Sequence, residues 1–200
     1  MKASFCNLLV GRALLIAFVF TAGPLLAADP GDWGKELPAK HRFVVLSDFG
    51  DRAILDKETQ LVWERFPADL DGNGVVSSAD RVSFLEAAFV CVDRSLGGRK
   101  GWRLPAVNEL SSLVDPTRQS APFLPDGNPF VFCLEGALVS GCPPSPDSLA
   151  FWTNTIIDHD PVGKWTVDFN TGDVRLGGGL ENTPALVWCV RGPTAGPESH

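Results

Sequence analysis

The stretch Gly97 to Asp115 reads GGRKGWRLPAVNELSSLVD, and the fold is read outward from it. Two glycines that accept positive φ precede a basic turn, Arg99-Lys100. Pro105 suits the first turn of a helix. Val107, Leu110 and Val114 then recur inward at helical spacing, with Asn108 and Glu109 outward. Trp102 and Leu104 read as core. Arg103 reads as a buried cation, with Glu109 its nearest candidate partner.

Upstream, Ser78 to Leu96 also carries a helical period. Val82, Leu85, Phe89, Val92 and Leu96 share one apolar face. Cys91 lies on the neighbouring stripe with Phe84 and Ala88 and is expected to face inward. Gly97-Gly98 is expected to end this helix. Short strands surround the two helices. Arg42–Leu46, Ala53–Asp56 and Gln60–Glu64 are separated by turn signals at Phe49-Gly50-Asp51 and Asp56-Lys57-Glu58-Thr59. Strands return at Ala150–Thr153, Lys164–Phe169, Val174–Leu176 and Leu186–Arg191, with a hairpin turn at Asn170–Asp173. Residues 116–148 read as a long loop. These elements make an α+β domain of short antiparallel strands with two helices.

Size and composition narrow the function. Two hundred residues with 44% hydrophobic content fit one folded domain with small appendages. The formal charge of −7 argues against nucleic acid, whose phosphates need a surplus of Lys and Arg. Residues 1–28 combine Lys2, an apolar run from Leu8 to Phe20 interrupted at Gly11-Arg12, and the small residues Ala27-Ala28. That order describes a signal peptide, and the run is short for a membrane anchor. Its loss would make the charge two units more negative and release a product without an anchor into the periplasm or the medium. Residues 29–41 then read as a mobile lead-in and 193–200 as a tail.

Export makes disulfides feasible. Beyond Cys6 there are Cys91, Cys133, Cys142 and Cys189, which allow three connectivities. Cys133 and Cys142 flank a Gly/Pro-containing loop and are expected to pair locally, leaving Cys91 with Cys189. A zinc site lacks the close Cys-x-x-Cys spacing.

One loop has a metal-ligating pattern. Asp69-Leu-Asp-Gly-Asn-Gly-Val-Val-Ser-Ser-Ala-Asp80 offers oxygen ligands at the spacing of a twelve-residue calcium loop. Asp69, Asp71 and Asn73 stand at positions 1, 3 and 5, and Gly74 at the sharp turn. The Val75 carbonyl, a Ser77 hydroxyl or its water, and the Asp80 carboxylate complete the set. Asp80 stands where Glu is usual in EF-hands, as in the similar loops of dockerin modules. A helix is expected from Ser78. The expected cofactor is a structural calcium ion.

Several stretches together resemble the Lcl C-terminal domain family of exported bacterial domains. They are Arg42-Phe43-Val44 leading to Asp56–Trp63, Gly97-Gly98 with Gly101–Pro105 and Glu109-Leu110, Phe151-Trp152-Thr153 with Trp165–Phe169, and Cys189-Val190-Arg191-Gly192. The resemblance covers about three-quarters of the chain, residues 42–192. It implies a disulfide-linked, C-type-lectin-like fold with the N- and C-terminal strands paired. It also implies an adhesin-like binding role, because the named member binds sulfated glycosaminoglycans. This chain is acidic. Its dense basic group is Arg94, Arg99, Lys100 and Arg103, the positions a polyanion would use. The calcium-type loop is not part of the usual family pattern.

The functional expectation is an exported, non-catalytic module that binds a glycan or a cell-surface partner. Catalytic signatures are weak: Asp158-His159-Asp160 sits beside a turn, and no Gly-x-Ser-x-Gly or His-Glu-x-x-His occurs. Arg103-Leu104-Pro105 before a helix is also similar to the formylglycine-generating enzymes, whose chemistry uses two copper-binding cysteines. A structural envelope component without a ligand is the third reading. The oligomeric state is not legible. N-terminal sequencing of exported protein should begin at Asp29; material that still begins at Met1 would contradict signal cleavage.

Overall fold

Leu61 and Trp63 alternate with partners across the strand, and that alternation builds the centre of a sheet. The computed structural model describes residues 37–133, 149–157, 160–177 and 183–192. Strands β1 (Phe43–Val45), β2 (Ala53–Asp56), β3 (Leu61–Glu64) and β7 (Val190–Arg191) form one antiparallel sheet in the order β1-β2-β3-β7. β4 (Ala150–Ile157), β5 (Asp160–Asp168) and β6 (Asp173–Gly177) form a second antiparallel sheet. The last strand closes on an early one, with Val62 opposite Arg191 and Trp63 opposite Val190.

The helices are short: α1 (Ala39–Arg42), α2 (Phe84–Asp93) and α3 (Val107–Ser111). α2 begins behind a capping box in which Ser83 and Glu86 satisfy each other's backbone N–H groups. None of the described helices is long and apolar enough to cross a membrane.

Leu186–Arg191 threads between the two sheets and bonds to both. Leu186 N–H donates to Ala150 and its carbonyl accepts from Trp152. Further on, the Val187 carbonyl accepts from Ala68, and that of Cys189 from Glu64. This double pairing is why the expected six-residue strand shrinks to Val190–Arg191: its earlier residues bridge sheets rather than extend one.

Trp188 sits where the two sheets meet. Its ring lies 4.9 Å from Phe130, 5.2 Å from Phe151, 5.5 Å from Phe132, 5.6 Å from Phe169 and 5.7 Å from Trp63. Mostly edge-to-face contacts of this kind add to area burial. A second buried cluster joins Phe49, Ala87, Cys91, Trp102, Leu104, Trp152 and Cys189. There Cys91 Sγ bonds Cys189 Sγ across 98 residues of sequence. Cys133 is also disulfide-bonded; its expected partner, Cys142, lies outside the described residues, as do the signal segment 1–28 and the tail 193–200.

Three expectations need correction. The lead-in is folded from Ala39, which is buried at the start of α1. The helix expected over Ser78–Leu96 is interrupted: Ser78–Asp80 is a 3-10 turn, Arg81 is extended, and α2 starts at Phe84. The cause is Val82, whose backbone exchanges both hydrogen bonds with Ala185 and so cannot be helical. Finally, α2 turns its other side to the core. Ala87 and Cys91 are fully buried, whereas Leu85, Phe89 and Val92 are 64%, 61% and 63% exposed.

The 98-residue separation makes the disulfide a large constraint on the unfolded chain. In the chain-entropy account a loop of about 100 residues is stabilised by roughly 4.7 kcal/mol. Replacing Cys91 and Cys189 together by Ala should lower unfolding stability by about 3–5 kcal/mol. Denaturant curves with an unchanged midpoint would contradict this.

Candidate functional site

Gly97 and Gly98 take φ of 54° and 71°, the two left-handed positions of a tight hairpin closed by Leu96–Arg99. The glycines therefore make a turn rather than end α2, which stops at Asp93. A Cβ on Gly97 would also fall 2.6 Å from the Asp48 carbonyl oxygen. Beyond the turn, Trp102 is buried and donates its indole N–H to the Arg99 carbonyl at 3.0 Å. Arg103 exchanges two 2.9 Å backbone bonds with Val190. Its guanidinium grips Glu109 bidentately at 2.7 and 2.8 Å, and the same carboxylate accepts the Ala106 N–H that opens α3. Glu109 is thus buried, not outward as its helical position suggested. The central stretch is scaffold: it locks α3 and β7 together.

The four residues of the basic group do not form a free cationic patch. Arg94 Nε lies 2.6 Å from Glu64, Arg99 reaches Asp48 at 3.6 Å and covers the Phe49 ring at 4.5 Å, and Arg103 holds Glu109. Lys100 is exposed, and its carbonyl accepts from Arg191 Nε.

Sequence reading missed two acids. Asp56 is fully buried at the end of β2. Burial opposes its ionisation, but hydrogen bonds and charge from Arg42 outweigh that and hold its carboxyl below the usual range. Arg42 also donates to the Ser112 carbonyl, so the pair ties α1 and β2 to the end of α3. Glu64 is more unusual. It ends β3 inside the protein, accepts the Cys189 N–H at 3.0 Å, and meets Arg94 by charge contact. Burial pushes it up to about 7, against the opposing pull of Arg94, the Cys189 N–H and Arg52. The strand's polar–apolar alternation could not reveal this, because the helix end and the Cys189 segment that cover Glu64 come from far along the chain.

Glu64 opens onto a cavity of about 780 Å³ lined also by Arg52, Arg65, Arg94, Asp69 and Cys133. Asp69 belongs to the acidic loop, so loop and cavity share a wall. Within the loop, Asp69, Asp71 and Asp80 bring carboxylate oxygens within 4.8 Å of one another. Asp69 accepts from the N–H groups of Gly72 and Gly74, and Asn73 from that of Val75. Asp80, fully buried, accepts from Leu70, Asp71 and Ser77. Val75 pairs in a bridge with Cys133. The two Asp69 oxygens accept one of these N–H groups each and keep a lone pair for a cation, whereas Asp80 Oδ1 already accepts two.

Residues 52–191 match the family described as the Lcl C-terminal domain. The chain belongs to the Lcl C-terminal domain family. No curated protein and no solved structure matches it. In this Lcl C-terminal domain the matched span starts just before β2 and ends in β7, so the Cys91–Cys189 disulfide, Glu64, the acidic loop and all of the cavity's lining except Asp51 lie inside it.

The raised Glu64 has a definite pH consequence. The folded state holds this proton more tightly between 4.5 and about 7, so its contribution to stability falls as pH rises through that window. The melting temperature should therefore fall from pH 5 to pH 8, and Glu64→Gln should flatten that slope. An equally steep slope in Glu64→Gln would contradict the assignment.

Proposed function

We propose that the chain is an exported, non-catalytic binding module with a C-type-lectin-like fold. In this reading it works in the periplasm or outside the cell, recognises a glycan or cell-surface partner, and carries a structural calcium ion in the 69–80 loop. The observation that carries the reading is the convergence of Asp69, Asp71 and Asp80 within 4.8 Å beside a cavity. Three carboxylates so close repel one another, and a hard divalent cation relieves that repulsion. Asn73, the Val75 carbonyl and Ser77 would supply the remaining oxygens. Bound there, calcium would brace the wall that Asp69 contributes to the cavity and the chain leading into α2. The cavity's guanidinium and carboxylate lining offers both donors and acceptors, which suits a hydroxyl-rich ligand. β1 and β7 share one sheet, as the C-type-lectin-like reading asks, but they lie at its opposite edges: β7 pairs with β3 and not with the N-terminal strand that the resemblance implied.

The competing enzyme reading needs copper-binding thiols. Cys91, Cys133 and Cys189 are all disulfide-bonded, so none of the described cysteines is a free thiol.

Calcium that binds the folded chain stabilises it by mass action, about 2.7 kcal/mol at a hundredfold excess over the dissociation constant. Millimolar calcium should raise the melting temperature, chelator should reverse the rise, and Asp69→Ala/Asp71→Ala should not respond. Equal midpoints with calcium and with chelator would remove the metal. A glycan array tests the ligand separately: retention on a defined glycan supports the module, and silence across the array favours a structural envelope component.

A further inference from the structure

α2 presents an apolar stripe that the fold cannot bury. Its ten residues turn at about 100° each, so Phe84, Ala87, Ala88 and Cys91 cluster on one side. Leu85, Phe89 and Val92 fall on the other, each more than 60% exposed. A helix free to roll would turn the larger side chains inward. This one is pinned: Cys91 is bonded to Cys189, Ala87 is closed in at 0% exposure, and the Phe84 ring packs against Trp152 at 5.8 Å. Rolling the stripe inward would break all three contacts. Contiguous exposed apolar surface held in this way marks an interaction site rather than a packing failure.

The charge beside the stripe selects the occupant. Glu86 and Asp93 are exposed along one side of it, and the chain as a whole carries −7. A second copy laid antiparallel across the stripe would bring Glu86 and Asp93 of the two copies together in a dry contact, where like charges repel. The area also argues against self-association. Ten residues make a helix about 15 Å long; three exposed side chains along it are few beside the roughly 20–30 residues a side that a standard interface of about 800 Å² per partner uses. The length suits a single amphipathic helix laid alongside, with apolar residues at i, i+3 or i+4 and i+7 and a basic flank.

We propose that the Leu85–Phe89–Val92 face of α2 is a docking surface for a basic amphipathic helix of another protein. This surface lies on a different element from the cavity and the acidic loop, so it stands or falls independently of the calcium and glycan reading.

The probe is a fourteen-residue peptide of Leu and Lys at helical spacing, titrated against the purified protein by fluorescence anisotropy. Two controls accompany it: the same Leu positions with Glu replacing Lys, and a scrambled Leu/Lys peptide. The Leu/Lys helix should bind, and both controls should bind at least tenfold more weakly. Leu85→Gln/Phe89→Gln should weaken binding at least tenfold with an unchanged melting temperature, because both side chains are exposed. Asp93→Asn should weaken it about threefold. Undiminished binding by the double variant would mean that general acidity attracts the peptide and would overturn the proposal. So would a dimer in sedimentation that Leu85→Gln/Phe89→Gln abolishes, because a second copy would then be the occupant.

Discussion

The segment Leu186–Arg191 is the constraint on which the rest of the molecule depends. Its backbone bonds to both sheets, to the Arg103 stretch and to Glu64, and one of its side chains is covalently joined to α2. Trp188 fills the junction between the sheets from the same segment. A chain of short strands and short helices has few long runs of local hydrogen bonds. Its cooperativity must come from contacts distant in sequence, and many of these pass through this one segment near the end of the family span.

Two features of the surface follow from that arrangement. The disulfide fixes which side of α2 is inside, so the larger apolar side chains are left outside. The same segment drives Glu64 into the interior, because the Cys189 N–H needs an acceptor and the strand's end is covered. An acid kept this deeply buried is a poor stabiliser even with Arg94 and Arg52 nearby, since desolvation opposes the Coulomb attraction.

Much of the fold was legible where the signal is local. β2 has the boundaries that its turns suggested, Pro105 does precede a helix, and the hairpin at Asn170–Asp173 joins two strands. Cys91 faces inward as its stripe suggested. What failed was the choice between two apolar stripes on α2. Hydrophobicity favoured Leu85, Phe89 and Val92, and the covalent link decided for Ala87 and Cys91. The break at Val82 was equally hidden, because its cause is Ala185, far along the chain. Within the candidate site, the acidic loop announced itself by spacing. Glu64, the burial of Glu109 and the Arg42–Asp56 pair did not, since burial of a charged side chain is settled by partners that sequence spacing does not reveal. The basic group looked dense in sequence because the acids that occupy it are brought in by folding.

Native-state hydrogen exchange tests the central claim most directly. If Leu186–Arg191 holds the fold together, the amides of Glu64, Arg103, Leu186 and Val190 exchange only through global unfolding, with the same free energy as the β2–β3 ladder. If Arg103 and Val190 instead exchange through a local opening, while β2 and β3 stay protected, then the segment is an appendage and does not hold the fold together.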